Sequence, residues 1–521
     1  MSAKKARRLK SAFDLHGLKQ AIDLAVEEAA QLYRADNIPW VVGYSGGKDS
    51  TAVLQLIWLA LESLEPQERI KPVYVITTDT QVENPIVATW VARSLEHLGA
   101  AAAQMNVPIE AHQLKPELND RYWVNLLGRG YPAPRPKFRW CTERLKIKPS
   151  NRFISDVVRE NGEAILVLGT RKAESSKRAH VMDRLERRRT RENLSPNANL
   201  PNSLVYTPIE AWSNDDVWLF LMQVPNKWGI THKDLLTMYQ GASAGGECPL
   251  VVDKSTPSCG DSRFGCWVCT VVDRDRSMQA MIQNDEEKEW MLPLLELRDE
   301  LGERNDRRNR DFRRLNGSVQ LFHDRTIPGP YKQSFREDLL RRVLETERWV
   351  RENGPDYVRD LRLVPLEELR EIRRIWVVEK HELEDSLPGI YEEVWGEPFP
   401  QRLDDSRVFG ADEIRLLRQT CGDDDLLFSM LRELLDIEWR TRHSRRRSGL
   451  YERLEEAITR HFYSDEEDAT ERERQRKRVS DAAKKLKNKG GEIVDVDDQL
   501  AVFLDVRRKL EAGRYGTGAG K

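Results

Sequence analysis

The stretch 41-VVGYSGGKDSTAVLQLIWLA-60 sets a glycine pair, a lysine and flanking serines between two apolar runs. The first run is short and β-branched and the second is long enough for a helix, so the pattern predicts strand, tight turn, helix. Adjacent Gly46 and Gly47 permit positive φ and close backbone approach. Successive amides entering a helix N-terminus form a nest for an anion. Lys48 adds a cation, and Ser45 and Ser50 add hydroxyl donors, a set that suits a triphosphate. The spacing is not the G-x-x-x-x-G-K-[ST] of loops that cleave the γ-phosphate. A plain glycine turn capped by serine or aspartate is the ordinary alternative.

Three more β-branched runs follow, 72-PVYVITTD-79, 107-VPIEAHQL-114 and 164-AILVLGT-170, with helical patterns between them. Together with 39-PWVVGYS-45 they predict an α/β fold, a parallel sheet with helices on both faces. A cysteine-rich loop region and a mainly helical C-terminal extension follow it. The predicted divisions are an N-terminal helix over 1–37, the α/β domain over 38–240, a cysteine-rich segment over 241–275, a helical domain over 276–463, and a charged C-terminal region with a flexible tail over 464–521. Asp79 falls just past the second strand's carboxyl end, where open α/β sheets bind ligands, although a loop carboxylate is more often only a cap.

The chain's 521 residues are enough for a multi-domain core, and 33% charged residues give it a polar surface. No apolar run approaches the ~20 residues that span a bilayer. The basic start, MSAKKARRLKSAFDLHG, lacks the apolar segment of a signal peptide. A cytoplasmic protein without membrane contact is therefore expected. The net charge of −2 excludes an argument from overall basicity. Positive charge is instead local: Arg135, Lys137, Arg139, Arg144, Lys146, Lys148, Arg152, Arg171, Lys172, Lys177 and Arg178 precede 184-RLERRRTR-191. Guanidinium forks match phosphate oxygens, while a charge run is commonly a solvated face. The Arg-rich, then Asn/Pro-rich stretch 184–200 reads as a loop that orders on binding.

Six cysteines are too few for a disulfide scaffold in a chain of this length. Cys248, Cys259, Cys266 and Cys269 fall within 248-CPLVVDKSTPSCGDSRFGCWVC-269, and Cys141 lies in 137-KFRWCTERLKIKP-149. Cys266-x-x-Cys269 lets two thiolates grip one metal ion or one cluster. Some four of these five are expected to ligate; spacing leaves zinc and iron–sulfur both open. Cys421 has no companions and reads as structural.

The turn S-G-G-x-D-S resembles the PP-loop of ATP pyrophosphatases, which cleave between the α and β phosphates. Further, 137-KFRWCTERLKIKP-149, 169-GTRKAESSKR-178, 207-TPIEAWSNDDVWLFL-221 and 263-RFGCWVC-269 follow in the order seen in PAPS-reductase-like PP-loop proteins, over about residues 38–275. With its helical extension the chain resembles the DndC sulfurtransferase family of bacterial DNA phosphorothioation. That resemblance implies an adenine nucleotide alpha-hydrolase-like fold. It also implies ATP, Mg2+ and a 4Fe–4S cluster as cofactors. Tyr44, Ser45, Gly46, Gly47, Lys48, Asp49, Ser50, Asp79, Gly169 and Arg171 are then expected at the nucleotide. Ser45, Lys48, Asp49, Ser50, Arg171 and Arg178 are expected in catalysis, with Asp49 orienting magnesium or the loop itself. Ligation carries over to Cys141, Cys259, Cys266 and Cys269, which leaves Cys248 to carry or relay sulfur; Cys248 and Cys259 are exchangeable in this assignment. The family's paired cysteines are here Cys141 followed by Thr142, so one ligand comes from elsewhere.

The implied reaction adenylates a DNA backbone phosphate, after which sulfur, delivered as a persulfide or through the cluster, replaces a non-bridging oxygen. DNA, a cysteine desulfurase as sulfur donor and other phosphorothioation subunits are the implied partners. Three alternatives stand beside it: sulfonucleotide reduction, RNA thiolation and a non-catalytic DNA-binding scaffold subunit. The tail ending RYGTGAGK lacks the mobile cysteine of sulfonucleotide reductases, the last cysteine being Cys421.

Overall fold

The computed structural model describes residues 11–189, 191, 193–197, 199–242, 264–400, 410–442 and 447–487. The described residues form two compact units, those within 1–310 and 330–417 and those within 311–329 and 418–521.

In the first unit, α1 (Gly17–Arg34) leads to β1 (Trp40–Gly43), α2 (Lys48–Ser63), β2 (Val73–Thr78), α3 (Pro85–Gln104) and β3 (Ile109–Leu114). Then come α4 (Lys148–Asn161), β4 (Ala164–Val167), α5 (Ser176–Glu186), β5 (Leu194–Pro196), β6 (Ser203–Tyr206), α6 (Asn214–Gln223) and α7 (His232–Gly241). The six strands lie in the order β3-β2-β1-β4-β6-β5. All neighbours pair in parallel except β5, which runs antiparallel to β6. This is the expected α/β architecture. Trp40, Val41 and Val42 of β1 are fully buried because both faces of the sheet are covered. On one face α2 is apolar almost all round and packs with α1 and α6 in the main core. On the other, Ile154 and Val157 of α4 cover Val41, Ile76 and Ala164.

After β1 the chain moves outward to β2 and β3, then returns to place β4 on β1's other side. That reversal opens a crevice at the carboxyl ends of β1 and β4, the standard ligand position in such sheets.

The four-strand expectation misses β5 and β6, and the loop expected over 184–200 contains the end of α5 and all of β5. Both strands are too short to show a clear alternation. Pro196 is tolerated because β5 is an edge strand that needs no ladder donor on its outer side.

A second core in the same unit gathers α8 (Arg276–Asn284), α9 (Leu292–Leu301), α10 (Gln333–Asn353), α11 (Leu366–Arg374) and α12 (Ser386–Trp395). It also holds Tyr122, Trp123 and Trp140 from the loop between β3 and α4. Three π-helical turns, Val124–Gly128, Thr142–Ile147 and Ile375–Glu379, serve this core. Gly128 lies where two of them meet, and a Cβ there would sit 3.0 Å from Ile375 Cδ1, a tight contact.

The division between units falls within α13 (Ala411–Cys421). The second unit holds the hairpin β7 (Leu321–Phe322) and β8 (Arg325–Thr326), then α14 (Asp425–Thr441), α15 (Leu450–His461) and α16 (Glu466–Lys487). Cys421 is buried, consistent with an inert residue. Among the described residues, no helix is long and apolar enough to cross a membrane.

Candidate active site

The turn between β1 and α2 is locked before any ligand arrives. Gly46 has φ +73, and a Cβ there would run into Val91 of α3. Trp90 Nε1 donates to the Gly46 carbonyl at 3.1 Å, which clamps α3 over the turn. Gly47 is the extended N-cap of α2. Ser50 Oγ donates to the Gly47 carbonyl at 2.9 Å and accepts from the Ser45 amide at 3.2 Å, so the two serines brace the turn internally. Tyr239 of α7 closes the side of the turn, its hydroxyl accepting from the Lys48 amide at 3.3 Å.

The charges form a chain. Lys48 Nζ lies 2.8 Å from one Asp49 oxygen, and Arg171 Nε lies 2.7 Å from the other. Arg171 is only 4% exposed and also donates to the Trp212 carbonyl at 3.2 Å. Gly169 lets the loop after β4 lie against this turn: a Cβ would sit 2.9 Å from the Asp49 carbonyl oxygen. The loops after β1 and β4 are thus fused at the sheet's switch point.

They form one wall of a cleft of about 2090 Å³. Tyr44, Ser45, Gly46, Gly47, Lys48, Asp49, Ser50, Gly169, Arg171 and Arg178 all contribute to its lining. Their roles differ. The Tyr44 side chain is buried, its hydroxyl sharing a 2.6 Å hydrogen bond with Ser94 beneath α3. The Arg178 side chain is 45% exposed and pairs with Glu174. Asp79 does not line the cleft: its Oδ1 accepts the Gln81 amide at 2.8 Å, and its own amide bonds Leu114.

The opposite wall brings in residues that sequence reasoning did not single out. Glu83, Lys146, Tyr239, Phe264 and Gly265 all line the cleft. The cysteine segment is tied there by backbone pairing, the Trp267 amide to the Val82 carbonyl at 2.9 Å and the Asn84 amide to the Gly265 carbonyl at 3.2 Å. Phe264 packs edge-on against Tyr239 at 4.6 Å, so this segment touches the residue that closes the glycine turn. Lys146 counts in the sequence only as one of a basic run; its place on the π-helical turn after Cys141 turns it to the cleft. Glu83 and Tyr239 carry no local signal at all.

Cys141, Cys266 and Cys269 are partly buried and lie near enough to one another and to Lys146 to interact electrostatically. Thr80 Oγ1 is 3.4 Å from Cys266 Sγ. Burial pushes the Cys266 thiol up to about 11, with Lys146 pulling the other way, and burial raises Cys141 too. The nearby Cys266 in turn holds Lys146 above the usual lysine value. From behind, fully buried Arg298 of α9 donates to the carbonyls of Cys269, Val272 and Asp273 and pins the segment to the helical core. Among the described residues, no three His, Cys, Asp or Glu side chains converge tightly enough for a single metal ion. Cys248 and Cys259 lie outside the described residues.

The family model of the phosphoadenosine phosphosulfate (PAPS) reductase domain matches residues 39–227, from β1 through α6. The chain thus carries a PAPS reductase-like domain. Such domains belong to enzymes. An uncharacterized protein of Methanocaldococcus jannaschii is 26% identical over 185 residues, which is 36% of this chain and 32% of that protein. The chain therefore spans about a third of that relative's length. The crystal structure of PAPS reductase from Candida auris, in a phosphate complex, aligns at 14% identity over 40% of this chain and 89% of that one, with a TM-score of 0.25. The PAPS reductase-like domain contains the glycine turn, Cys141 and Lys146, whereas Cys266 and Cys269 lie beyond it.

Proposed function

We propose that this chain is an ATP pyrophosphatase coupled to sulfur transfer, which adenylates a DNA backbone phosphate so that sulfur can replace a non-bridging oxygen. The observation that carries the reading is the shared cleft: the braced glycine turn forms one wall, and the segment leading into Cys266-x-x-Cys269 forms the other. The thiols do not line the cavity themselves, but Cys266 directly follows Gly265, which does, so in this reading sulfur is held next to the nucleotide site. The cavity's volume of about 2090 Å³ exceeds the roughly 300–1,000 Å³ of a small-ligand pocket, so a nucleotide leaves room for a strand of acceptor.

In this reading the Gly46, Gly47 and Lys48 amides and the Lys48 ammonium hold the β and γ phosphates and take up charge on departing pyrophosphate. An oxygen of the acceptor phosphate attacks the α-phosphorus of ATP, and the bond to the β-phosphate oxygen breaks. Asp49 keeps Lys48 and Arg171 in register. A magnesium ion, when bound, would neutralise charge on the phosphate oxygens, and Asp49, held between Lys48 and Arg171, would orient it or the loop itself. Sulfur at the oxidation level of sulfide then attacks the activated phosphorus, forming P–S as P–O breaks and AMP leaves with the oxygen.

Cys141, Cys266 and Cys269 suit three ligands of a 4Fe–4S cluster. Each thiolate of such a cluster reaches a different iron, so they need not converge on one point. Cys259 or Cys248 would supply the fourth ligand. The cluster, when bound, supplies a site for sulfur or electrons beside the reacting phosphate. A cysteine desulfurase, which delivers sulfur as a persulfide, a two-electron thiol reductant that brings that sulfur to the sulfide level as its own disulfide forms, and further phosphorothioation subunits are the partners this reading requires.

Two measurements test it: pyrophosphate release from ATP with DNA and magnesium present, and mass-spectrometric detection of protein-dependent sulfur in DNA linkages. Neither product appearing under anaerobic conditions would overturn it. Sulfonucleotide reduction is the second reading, favoured by the domain match over residues 39–227. Sulfite release from PAPS without sulfur in DNA would establish that one instead.

A further inference from the structure

Among the described residues seven tyrosines are buried, Tyr33, Tyr44, Tyr122, Tyr206, Tyr239, Tyr331 and Tyr391. Six of them use their hydroxyls: Tyr33 bonds Lys71, Tyr44 Ser94, Tyr206 Glu28, Tyr239 Lys48, Tyr331 Asp306, and Tyr391 Glu397. Tyr122, 2% exposed, is the exception; its hydroxyl has no hydrogen-bond partner among the described residues. A buried hydroxyl without a partner costs roughly 1–3 kcal/mol, so an orphan of this kind calls for an explanation.

The surroundings narrow the explanation. The groups that act electrostatically on the Tyr122 oxygen are Tyr331, Cys141, Cys266 and Cys269. The Tyr331 hydroxyl donates to Asp306 and accepts from the Ala133 amide at 3.2 Å, and it makes no hydrogen bond with Tyr122. The other three titratable neighbours are the sulfurs of Cys141, Cys266 and Cys269, and none of these thiols is itself a hydrogen-bond partner of the hydroxyl. The ring is also held in place: it stacks on Trp140, the residue before Cys141, at 5.4 Å and 22°, and meets Trp123 edge-on at 5.0 Å. Trp123 in turn packs on Trp267, the residue after Cys266, at 6.1 Å. The aromatic layer therefore touches both cysteine segments at once.

We propose that Tyr122 is a positioning residue whose hydroxyl donates a hydrogen bond to sulfur of the group held by Cys141, Cys266 and Cys269, and thereby sets that group's reduction potential. The inference rests on the cluster reading above. A donor to cluster or ligand sulfur stabilises the more negative, reduced state, so removing it lowers the potential.

The test uses the full chain purified anaerobically, with iron content, visible absorbance and a redox titration followed by electron paramagnetic resonance. Tyr122→Phe keeps the ring and removes the donor; it should keep its iron and titrate at a more negative potential than wild type. Incorporating 3-fluorotyrosine at position 122 makes the phenol a stronger donor and should move the potential upward. Wild-type potentials in both variants would overturn the proposal. If Tyr122→Phe loses its iron, the fluorotyrosine protein decides alone: an upward shift supports the proposal and an unshifted potential overturns it. Wild type that binds no iron–sulfur group would bring down the cluster reading itself, and this inference with it, a result distinct from equal potentials in iron-loaded proteins.

Discussion

The two walls of the cleft are built on opposite principles. On the sheet side the polar groups answer one another. Ser45 and Ser50 brace the turn, Asp49 joins Lys48 to Arg171, and Arg171 reaches a carbonyl with its remaining donors. On the cysteine side Phe264, Gly265, Glu83 and Lys146 line the cleft, while the layer around the thiols, off the lining, is aromatic, burial favours neutral Cys141 and Cys266, and the Tyr122 hydroxyl has no partner among the described residues. The first wall is finished without a ligand, as a site that stabilises developing charge has to be if it is to avoid reorganising at the moment of reaction.

The largest effect expected from breaking the first wall comes from Gly46→Ala. The left-handed φ of +73 and the collision with Val91 together should cost about 2–4 kcal/mol and abolish nucleotide binding. Calorimetric titration with ATP and a denaturant melt would check both, and normal ATP affinity would show that the turn is more plastic than its packing implies. The counterpart on the second wall is Cys266→Ser. Iron and visible absorbance should disappear while pyrophosphate release persists, because the glycine turn owes none of its internal hydrogen bonds to the cysteines. Parallel loss of both properties would mean that the walls fold as one element.

Asp49→Asn should be intermediate. It strips the partner from a nearly buried Arg171, a change of about 3 kcal/mol by analogy with broken buried pairs, less whatever the Trp212 carbonyl retains. Pyrophosphate release should fall with it and iron content should not, as chemical melts and iron assays would show. The smallest effect belongs to Arg178→Ala. Its pair with Glu174 is about half exposed, so stability should move by no more than ~0.5 kcal/mol. Any loss should appear in KM for the nucleotide, and a fall in kcat alone would instead assign Arg178 to the transition state.

The glycine turn and the sheet were legible because each is a local pattern: β-branched runs, a glycine pair, helices of regular period. Lys146 was visible only as one positive charge among many, since nothing local tells a residue on a π-helical turn that it will point into a cleft. Glu83 was invisible for a similar reason. Its place depends on pairing between the loop after β2 and a segment almost two hundred residues later, the isolated bridge from Glu83 to Cys266. Asp79 illustrates the converse. Its position past a strand end suggested the nucleotide, while the structure shows its carboxylate capping its own turn.

The amino-acid order alone settled the α/β class, the phosphate-suited turn and the identity of the thiols, because φ freedom, side-chain chemistry and hydrophobic period are properties of neighbouring residues. Tertiary structure alone decided that the turn and the residues flanking the thiols, Lys146, Phe264 and Gly265, line one cavity, that Arg171 is bound to Asp49 rather than open to solvent, and that among the described residues the Tyr122 hydroxyl has no partner. Those outcomes depend on which distant backbone amides and carbonyls find each other once the sheet has twisted and the helical core has closed, and no local pattern encodes that pairing.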